Sequence, residues 1–231
     1  MNIIVNGGSR GIGREVVLNL AEDKSNLILV TGRNEERLKE LVQSCPNENV
    51  SYLATDISAL DNYIGSIKNQ IYNRFSKVDI LINVAGLLFV NDFMKISIPE
   101  AREMMETNFF GPATIIRLVI PLMPAGSHIV NISSMGGFQG SSKYRGMSFY
   151  SASKAALSCL TECLAVELSE MGISINSLAL GSVQTEMFET AFPGFNAPVN
   201  PREMASFISY FAVNGNKFFN GKILPVAVNN P

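Results

Sequence analysis

The sequence predicts an α/β fold in which one parallel sheet is covered by helices on both faces. Short runs of β-branched and aliphatic residues alternate with longer segments of helical periodicity along all 231 residues. Some of the strand-like runs, such as Leu27–Val30, are apolar at every position, as expected for strands of a parallel sheet that is buried on both faces. Hydrophobic residues make up 47% of the chain and charged residues 16%, which suits a globular protein with a large core.

Seven segments have the composition and length of buried strands, and six others have helical periodicity. The predicted strands are Asn2–Val5, Leu27–Thr31, Val50–Ala54, Val78–Asn83, His128–Ile132, Ile173–Leu178 and Lys222–Val226. The predicted helices are Gly11–Glu22, Glu35–Ser44, Leu60–Phe75, Pro99–Leu122, Tyr150–Met171 and Pro201–Asn214. Alternating strands and crossover helices predict one doubly wound, Rossmann-type sheet of about seven strands. No linker or repeat divides the chain, so we expect a single domain spanning residues 1–231.

Charge and hydropathy argue against nucleic-acid and membrane partners. The net charge is −2, and the 18 lysines and arginines are scattered rather than gathered in a basic block. The apolar stretch Ala113–Met123 is too short to span a bilayer and contains Arg117 and Pro121. No charged and apolar leader precedes the first predicted strand, so we expect no signal peptide.

Cysteine and histidine content argues against disulfides and metal sites. Cys45, Cys159 and Cys163 make an odd number without a spaced framework, which is typical of a protein of the reducing cytoplasm. Cys159 and Cys163 are four residues apart on a predicted helix, where packing accounts for them better than metal ligation. His128 is the only histidine, so neither a Ser-His-Asp triad nor a histidine-based zinc site is expected.

A glycine-rich turn follows the first predicted strand. Residues Asn6–Gly13 read Asn-Gly-Gly-Ser-Arg-Gly-Ile-Gly and lead into a predicted helix. Glycines at positions 7, 11 and 13 allow a tight turn and close approach of a ligand to the backbone, while the helix presents free N–H groups and the positive end of its dipole. The turn could simply end the strand, but its place after the first strand of a βαβ unit favours binding of a dinucleotide pyrophosphate.

The end of the second predicted strand bears on the choice of dinucleotide. An acidic residue there would hydrogen-bond the adenosine ribose of NAD(H), but the sequence reads Thr31-Gly32-Arg33-Asn34. Arg33 and Arg10 could instead bind a 2′-phosphate. The alternative for Arg33 is a solvated charge beside Asn34, which would cap the next helix. We favour the phosphate role, and therefore NADP(H) over NAD(H).

Three residue types with acid/base potential occur near the fifth strand. Tyr150 and Lys154 are four residues apart, which places them on one face of a helix, and a nearby ammonium would lower the pKa of the phenol. Upstream, Ser133 and Ser134 end a strand at the edge where ligands bind in α/β sheets. A Tyr-x-x-x-Lys pair alone is weak evidence, and a serine here could equally close the strand.

Together, these motifs resemble the main branch of the short-chain dehydrogenases/reductases, and in particular 3-oxoacyl-[acyl-carrier-protein] reductases. Residues Asn6–Gly13 match the family's Thr-Gly-x-x-x-Gly-x-Gly with asparagine in place of threonine, and Asn83–Gly86 match Asn-Asn-Ala-Gly with one valine. The remaining matches are single residues, namely Asp56, Asn108 within Thr107–Gly111, Ser134, Tyr150, Lys154 and Thr185.

The resemblance implies a role for each matched residue. Ser134 would hydrogen-bond the substrate oxygen, and Tyr150 would give it a proton in reduction or take the proton in oxidation. Lys154 would hold the nicotinamide ribose and tune the tyrosine, while Asn108 would position a water that links the lysine to solvent. The implied cofactor-binding set is Gly7, Ser9, Arg10, Gly11, Ile12, Gly13, Arg33, Asp56, Ile57, Asn83, Ala85, Gly86, Tyr150, Lys154, Gly181, Val183 and Thr185.

The sequence therefore predicts an NADP(H)-dependent oxidoreductase that interconverts a carbonyl and a secondary alcohol by hydride transfer. The alternative is a catalytically silent NADP(H)-binding regulator on the same fold. The chain departs from the family pattern at three places. The segment from Ser134 to Tyr150 is longer, and Leu180-Gly181 replaces the family's Pro-Gly. Near the C-terminus, Val228-Asn229-Asn230 replaces Gly-Gly.

Two further expectations concern a mobile segment and assembly. The segment Glu186–Asn200 mixes aromatic residues with proline and glycine, and we expect a mobile, irregular lid over an apolar part of the substrate. The predicted helices Pro99–Leu122 and Tyr150–Met171 are apolar beyond one stripe, which predicts a homo-oligomer, a tetramer or a dimer. The residues that carry this are Ile115, Ile116, Leu118, Val119, Leu157, Leu160, Leu164 and Val166.

Overall fold

The structure is a computed structural model that describes residues 1–62 and 64–228. Its strands are β1 (Asn2–Asn6), β2 (Leu27–Gly32), β3 (Val50–Ala54), β4 (Ile80–Asn83), β5 (His128–Ser134), β6 (Ser174–Leu180) and β7 (Ile223–Val226). Its α-helices are α1 (Gly11–Ala21), α2 (Glu35–Ser44), α3 (Ile64–Arg74), α4 (Ile98–Met105), α5 (Gly111–Val119), α6 (Ser148–Glu167), α7 (Glu186–Ala191) and α8 (Pro201–Asn214).

The seven strands form one parallel sheet in the order β3-β2-β1-β4-β5-β6-β7. The chain builds outward from β1 to β3, then crosses back and builds outward on the other side from β4 to β7. The order therefore reverses between β1 and β4, and a crevice opens at their carboxyl ends, where ligands bind in sheets of this kind. The predicted fold class is confirmed.

Alternate residues of the strands supply two cores, one on each face of the sheet. On β1, Ile3 and Val5 belong to the core that contains residues of α1, α2 and α8, whereas Ile4 belongs to the core beneath α3, α5 and α6. Both faces of β1 are thus covered by apolar packing, which is why its sequence does not alternate between apolar and polar residues.

The predicted helix Pro99–Leu122 is interrupted in the structure. After α4, residues Glu106–Phe110 form a π-helical turn, in which the amide of Gly111 donates to the carbonyl of Glu106, and α5 follows. Pro112 gives the physical reason. It has no N–H to donate to the carbonyl of Asn108, and its ring would crowd that carbonyl in a regular α-helix.

The expectation of an irregular lid was wrong in its first part. Residues 186–191 form the helix α7, because Thr185 acts as N-cap and its Oγ1 accepts a hydrogen bond from the amide of Phe188 at 3.2 Å. The next residues lack regular structure. An isolated parallel bridge between Val183 and Val199 joins the two ends of the segment.

The apolar residues that the sequence analysis named on the predicted helix Pro99–Leu122 pack against the chain's own core. Ile115, Ile116, Leu118 and Val119 are all buried in the core beneath α5, so these residues no longer support an oligomer. On α6, Leu157 is buried, whereas Val166 is exposed. The C-terminal departure at Asn229 and Asn230 lies outside the described residues. Across the described ranges, none of the helices has both the length and the apolar character needed to cross a membrane.

Candidate active site

A cavity of about 840 Å³ opens at the carboxyl ends of the strands, at the point where the strand order reverses. Its size suits a cofactor or drug-sized ligand. The wall is built from the turn after β1, the ends of β2, β4 and β5, the first turns of α6, and the segment after β6. These are the places where the sequence predicts binding and catalytic residues.

The glycine-rich turn has a geometry that only glycine can adopt at two of its positions. Gly7 has a φ of 97°, and a Cβ there would lie 2.4 Å from the amide nitrogen of Ala85. A Cβ on Gly13 would lie 2.1 Å from the carbonyl oxygen of Gly7. The turn therefore packs tightly against the end of β4 and against α1. Ser9, Arg10, Gly11 and Ile12 also line the cavity.

Three arginines line the cavity beside this turn, and each approaches a carboxylate. Arg33 lies 3.9 Å from Asp56 and 3.7 Å from Glu103, measured from Nη1 to the nearest carboxylate oxygen. Arg10 and Arg37 both contact Glu186, the first residue of α7. All three side chains remain close to half exposed, so their charges face the cavity mouth.

Arg37 is a candidate that the sequence argument missed. It follows the N-cap Asn34 by three residues, and its amide donates to Asn34 Oδ1 at 2.9 Å. A basic residue in the first turn of a helix opposes the helix dipole. That unfavourable position was the signal available in the sequence for an anion nearby.

The predicted adenine-binding acid does not face the cavity directly. Oδ1 of Asp56 accepts hydrogen bonds from the amide and the hydroxyl of Ser58, at 2.9 and 2.7 Å. Its neighbours Thr55 and Ile57 line the cavity instead. A contact from Asp56 to an adenine would have to come from its second oxygen, which lies on the side of Arg33.

Asn83 belongs to a row of buried amides beneath the crevice. Its Oδ1 accepts from Asn6 Nδ2 at 3.1 Å, and its Nδ2 donates to Asn131 Oδ1 at 2.9 Å. Thr31 donates to Asn6 at one end of the row, and Asn131 donates to Thr161 at the other. The side chain of Asn83 is thus occupied within the sheet, whereas Ala85 and Gly86 line the cavity.

The two serines at the end of β5 have different surroundings. The Ser133 hydroxyl is buried, donates to the carbonyl of Lys154 at 3.0 Å and accepts from Ser158 Oγ at 3.0 Å. Ser134 is partly exposed, and its Oγ accepts from the amide of Gly136 at 3.1 Å. Its hydroxyl also neighbours Tyr150 across the cavity wall. Ser134 is therefore the serine whose hydroxyl can reach both the tyrosine and a ligand.

Tyr150 and Lys154 lie one turn apart on α6, as predicted, but their electrostatics differ from the expectation. Burial raises the pKa of Tyr150, and the hydrogen bond with Ser134 lowers it by less. Burial lowers the pKa of Lys154 to about 8. The Lys154 ammonium donates to the carbonyl of Ile132 at 2.9 Å. The prediction that Lys154 lowers the pKa of Tyr150 was wrong for this arrangement, because desolvation dominates at both groups.

Asn108 is held firmly in the π-helical turn. Its Oδ1 accepts from the amide of Leu87 at 2.8 Å, and its Nδ2 donates to the carbonyl of Leu87 at 2.8 Å and to Ser153 Oγ at 2.9 Å. A Cβ on Gly86 would lie 3.5 Å from Lys154 Nζ and 3.6 Å from Asn108 Oδ1. Gly86 thus leaves room between the lysine and the asparagine, which are brought close together.

The backbone after β6 closes one side of the cavity. The amide of Gly181 donates to the carbonyl of Val226 at 2.9 Å, and a Cβ on Gly181 would lie 2.7 Å from Cβ of Ala227. Leu180-Gly181, which replaces the family's Pro-Gly, is therefore anchored to the last strand. Gly181, Val183 and Thr185, for which the resemblance implies cofactor binding, all line the cavity.

A large part of the cavity wall, which we call its apolar end, is aliphatic and aromatic. It includes Leu88, Met135, Tyr144, Met147, Met187, Phe188, Phe192 and Phe195. All of these side chains are uncharged. Tyr144 and Met147 come from the longer segment between β5 and α6, in which Lys143 Nζ donates to the carbonyls of Gly136 and Phe138 at 3.0 and 2.7 Å.

Comparisons with known proteins agree with this geometry. The family model described as short chain dehydrogenase matches residues 1–194. The chain is 33% identical over 202 residues to the Danio rerio protein named dehydrogenase/reductase SDR family member 7B, covering 83% of this chain but only 64% of that protein's length. It is 27% identical over 209 residues to an uncharacterized oxidoreductase of Staphylococcus epidermidis, covering 90% of this chain and 88% of the relative.

Two solved structures illustrate the likeness in three dimensions. A short-chain dehydrogenase/reductase from Serratia marcescens superposes with a TM-score of 0.87 at 24% identity, over 98% of this chain and 96% of the other, and shows the shared fold. ElxO with NADP bound superposes with a TM-score of 0.83 at 26% identity, again over 98% and 96%. Because the family model covers most of the chain and the fold is shared, this protein belongs to the short-chain dehydrogenase family.

Proposed function

We propose that the protein is an NADP(H)-dependent oxidoreductase that interconverts a carbonyl and a secondary alcohol, with Tyr150 as its acid/base. The observation that carries the proposal is the meeting of Ser134, Tyr150 and Lys154 in one cavity with the glycine-rich turn. A proton donor, a hydrogen-bond donor for the substrate oxygen and a dinucleotide cradle then surround the same space.

The residues around the cavity fit NADP(H). Backbone amides at the start of α1 and the close packing at Gly7 and Gly13 suit a pyrophosphate. Arg10, Arg33 and Arg37 supply positive charge near the end of β2, where an acidic residue would be expected in an NAD(H) site. The NADP-bound structure of ElxO, a protein of the same fold, supports this assignment by analogy.

The bound nicotinamide would supply or accept the hydride. In reduction, Tyr150 Oη donates its proton to the substrate oxygen as negative charge develops there, and Ser134 donates a second hydrogen bond to that oxygen. In oxidation, the same groups act in reverse. The Lys154 ammonium, which is positioned by the carbonyl of Ile132, would hold the nicotinamide ribose, and Asn108 holds the backbone at Leu87 in place.

The apolar end of the cavity supports a substrate class. Aliphatic and aromatic side chains from Leu88, Met147 and Phe188 surround the space beyond Tyr150 and offer no partner for a charged group. We propose an uncharged carbonyl compound with an apolar arm. The resemblance to 3-oxoacyl-[acyl-carrier-protein] reductases and the cytoplasmic location stay predictions.

We also propose that the chain forms a homo-oligomer, a dimer or a tetramer. Exposed apolar residues near the last strand, rather than the helix residues named above, support this proposal. Phe207 and Tyr210 of α8, and Phe218 and Val228 on the two sides of β7, are all exposed and provide apolar surface around the last strand of the sheet. A second copy of the chain would cover this surface and the open edge of β7.

The experiment that tests the enzyme is an NADPH-oxidation screen against uncharged aldehydes and ketones with apolar arms. We expect turnover by the wild type, less with NADH, and a loss of about 10²–10⁴-fold in kcat for Tyr150→Phe with nearly unchanged NADPH affinity. Equal turnover by wild type and Tyr150→Phe would contradict the mechanism. NADPH binding without turnover of any carbonyl compound would favour the alternative, a catalytically silent regulator.

A further inference from the structure

A carboxylate lies between two of the arginines that we propose for the 2′-phosphate. Glu186 Oε2 accepts from Arg37 Nη1 at 3.0 Å and from Arg10 Nη1 at 3.3 Å, and Glu186 Oε1 lies 3.3 Å from the same Arg37 nitrogen. All three side chains line the cavity. Glu186 therefore links the glycine-rich turn, α2 and the segment after β6 through a single carboxylate.

This contact is ionic but weak enough to be exchanged. The two arginines, Arg37 foremost, hold the pKa of Glu186 below its usual value, so its carboxylate is charged at neutral pH. The Glu186 side chain is 54% exposed, and ion pairs at this exposure are screened by water and salt. A more highly charged anion can replace the carboxylate on both guanidinium groups.

The backbone next to Glu186 supplies an independent link to the cofactor cradle. A Cβ on Gly11 would lie 3.6 Å from Cγ2 of Thr185, so the start of α7 rests on the glycine-rich turn. Thr185 also caps α7. A shift of Glu186 would therefore move α7, whose Met187 and Phe188 line the apolar end of the cavity.

We infer that Glu186 is a competitor of the coenzyme phosphate, whose carboxylate occupies Arg10 and Arg37 until the 2′-phosphate of NADP(H) displaces it. This inference rests on the proposed function. A phosphate monoester carries more negative charge than a carboxylate and has three acceptor oxygens, so it binds the two guanidinium groups more strongly. NAD(H) lacks this phosphate and leaves Glu186 in contact with the arginines. The exchange thereby couples recognition of the adenosine end to the position of α7.

Glu186→Gln tests the inference, because it keeps the size of the side chain and removes its charge. We expect the variant to bind NADPH and 2′-AMP about 2–10-fold more tightly than the wild type, as measured by calorimetry. The affinities for NADH and 5′-AMP should not change. Glu189→Gln is the matched control, since Glu189 lies on the same helix but accepts a hydrogen bond from Gln184. It should alter none of the four affinities.

Unchanged or weaker NADPH binding by Glu186→Gln, or an equal gain for NADH, would overturn the inference while leaving the proposed function intact. A wild-type chain that binds neither NADPH nor 2′-AMP would contradict the proposed function and the inference with it. Thermal unfolding checks that each variant is folded. If Glu186→Gln is not, Glu186→Asp serves in its place, since it withdraws the carboxylate by one methylene and should give a smaller gain in the same direction.

Discussion

The side chain of Lys154 lies in the buried part of the site, where an ammonium group is poorly solvated. It is 3% exposed, and burial lowers its pKa from 10.5 to about 8. Its ammonium keeps a hydrogen bond to the carbonyl of Ile132, but this carbonyl carries no full charge to balance it. A depressed pKa of this size means that the charged form costs the folded state free energy.

We therefore predict that Lys154→Met makes the protein more stable while it removes most of the activity. The gain should be about 1–3 kcal/mol in the free energy of unfolding at pH 7, less than the pKa shift alone implies, because the carbonyl of Ile132 loses its partner. Urea unfolding measures this. Lys222→Met, at an exposed lysine, is the control and should change stability by less than about 0.5 kcal/mol.

The pH dependence of stability gives a second readout of the same group. Between about pH 8 and 10 the unfolded chain keeps a proton on Lys154 that the folded chain has lost, so unfolding takes up a proton and stability rises with pH. In Lys154→Met this rise should disappear. A wild-type stability that is flat over this range would contradict the assigned pKa.

At the residue scale, the sequence could predict which types of residue lie at the site, but not the direction or the contacts of each side chain. Ser133 and Ser134 were equal candidates from the strand pattern, because alternation places neighbours on opposite faces without saying which face holds the ligand. Arg37 and Glu186 are 149 positions apart, so their contact exists only once the fold is known. The effect of burial on the pKa of Tyr150 and Lys154 likewise depends on neighbours from other elements.

At the scale of elements, the strands were predictable because each contains a short run of β-branched and aliphatic residues. The observed strands differ from the predicted ones mainly by one or two residues at their ends. For example, β5 continues two residues beyond the predicted end, to Ser134. The π-helical turn at Glu106–Phe110 was not predicted, since one extra residue barely disturbs the apolar periodicity of a helix. Pro112, four residues beyond Asn108, was the available signal.

The segment Glu186–Asn200 is the element for which we predict the largest response to cofactor. Gln184 joins its two ends, through its amide to the carbonyl of Val199 at 2.9 Å and through its Oε1 to the amide of Ala197 at 2.7 Å. Chymotrypsin should cleave it at Phe195, which is 69% exposed, and NADPH should slow that cleavage several-fold by giving the inner face of the segment a partner.

Cleavage after Phe93 provides the internal control for this experiment. Phe93 is 64% exposed and lies outside the residues that line the cavity, so NADPH should not change the rate of cleavage there. Equal cleavage at Phe195 with and without NADPH would mean that residues 186–200 are not a lid.

For the whole molecule, the prediction concerns assembly. Light scattering at micromolar concentration should give the mass of a dimer or tetramer of this 25.2 kDa chain. The double variant Tyr210→Ser and Phe218→Ser should lower that mass, because both side chains belong to the exposed apolar surface. A monomeric wild type would refute the prediction. So would a double variant that stays folded and keeps the wild-type mass.

The row of buried amides under the crevice joins four adjacent strands to α6. Its hydrogen bonds all point the same way, from Thr31 through Asn6, Asn83 and Asn131 to Thr161, which donates in turn to the carbonyl of Leu157. Because each amide donates to the next, the orientation of one amide fixes the orientation of its neighbour. Replacing one member by a group that can only accept would force its successors to rotate or leave them unpaired in a dry interior. The floor of the crevice can thus change only as a unit, and a slip of any one strand along its neighbours would break the whole line.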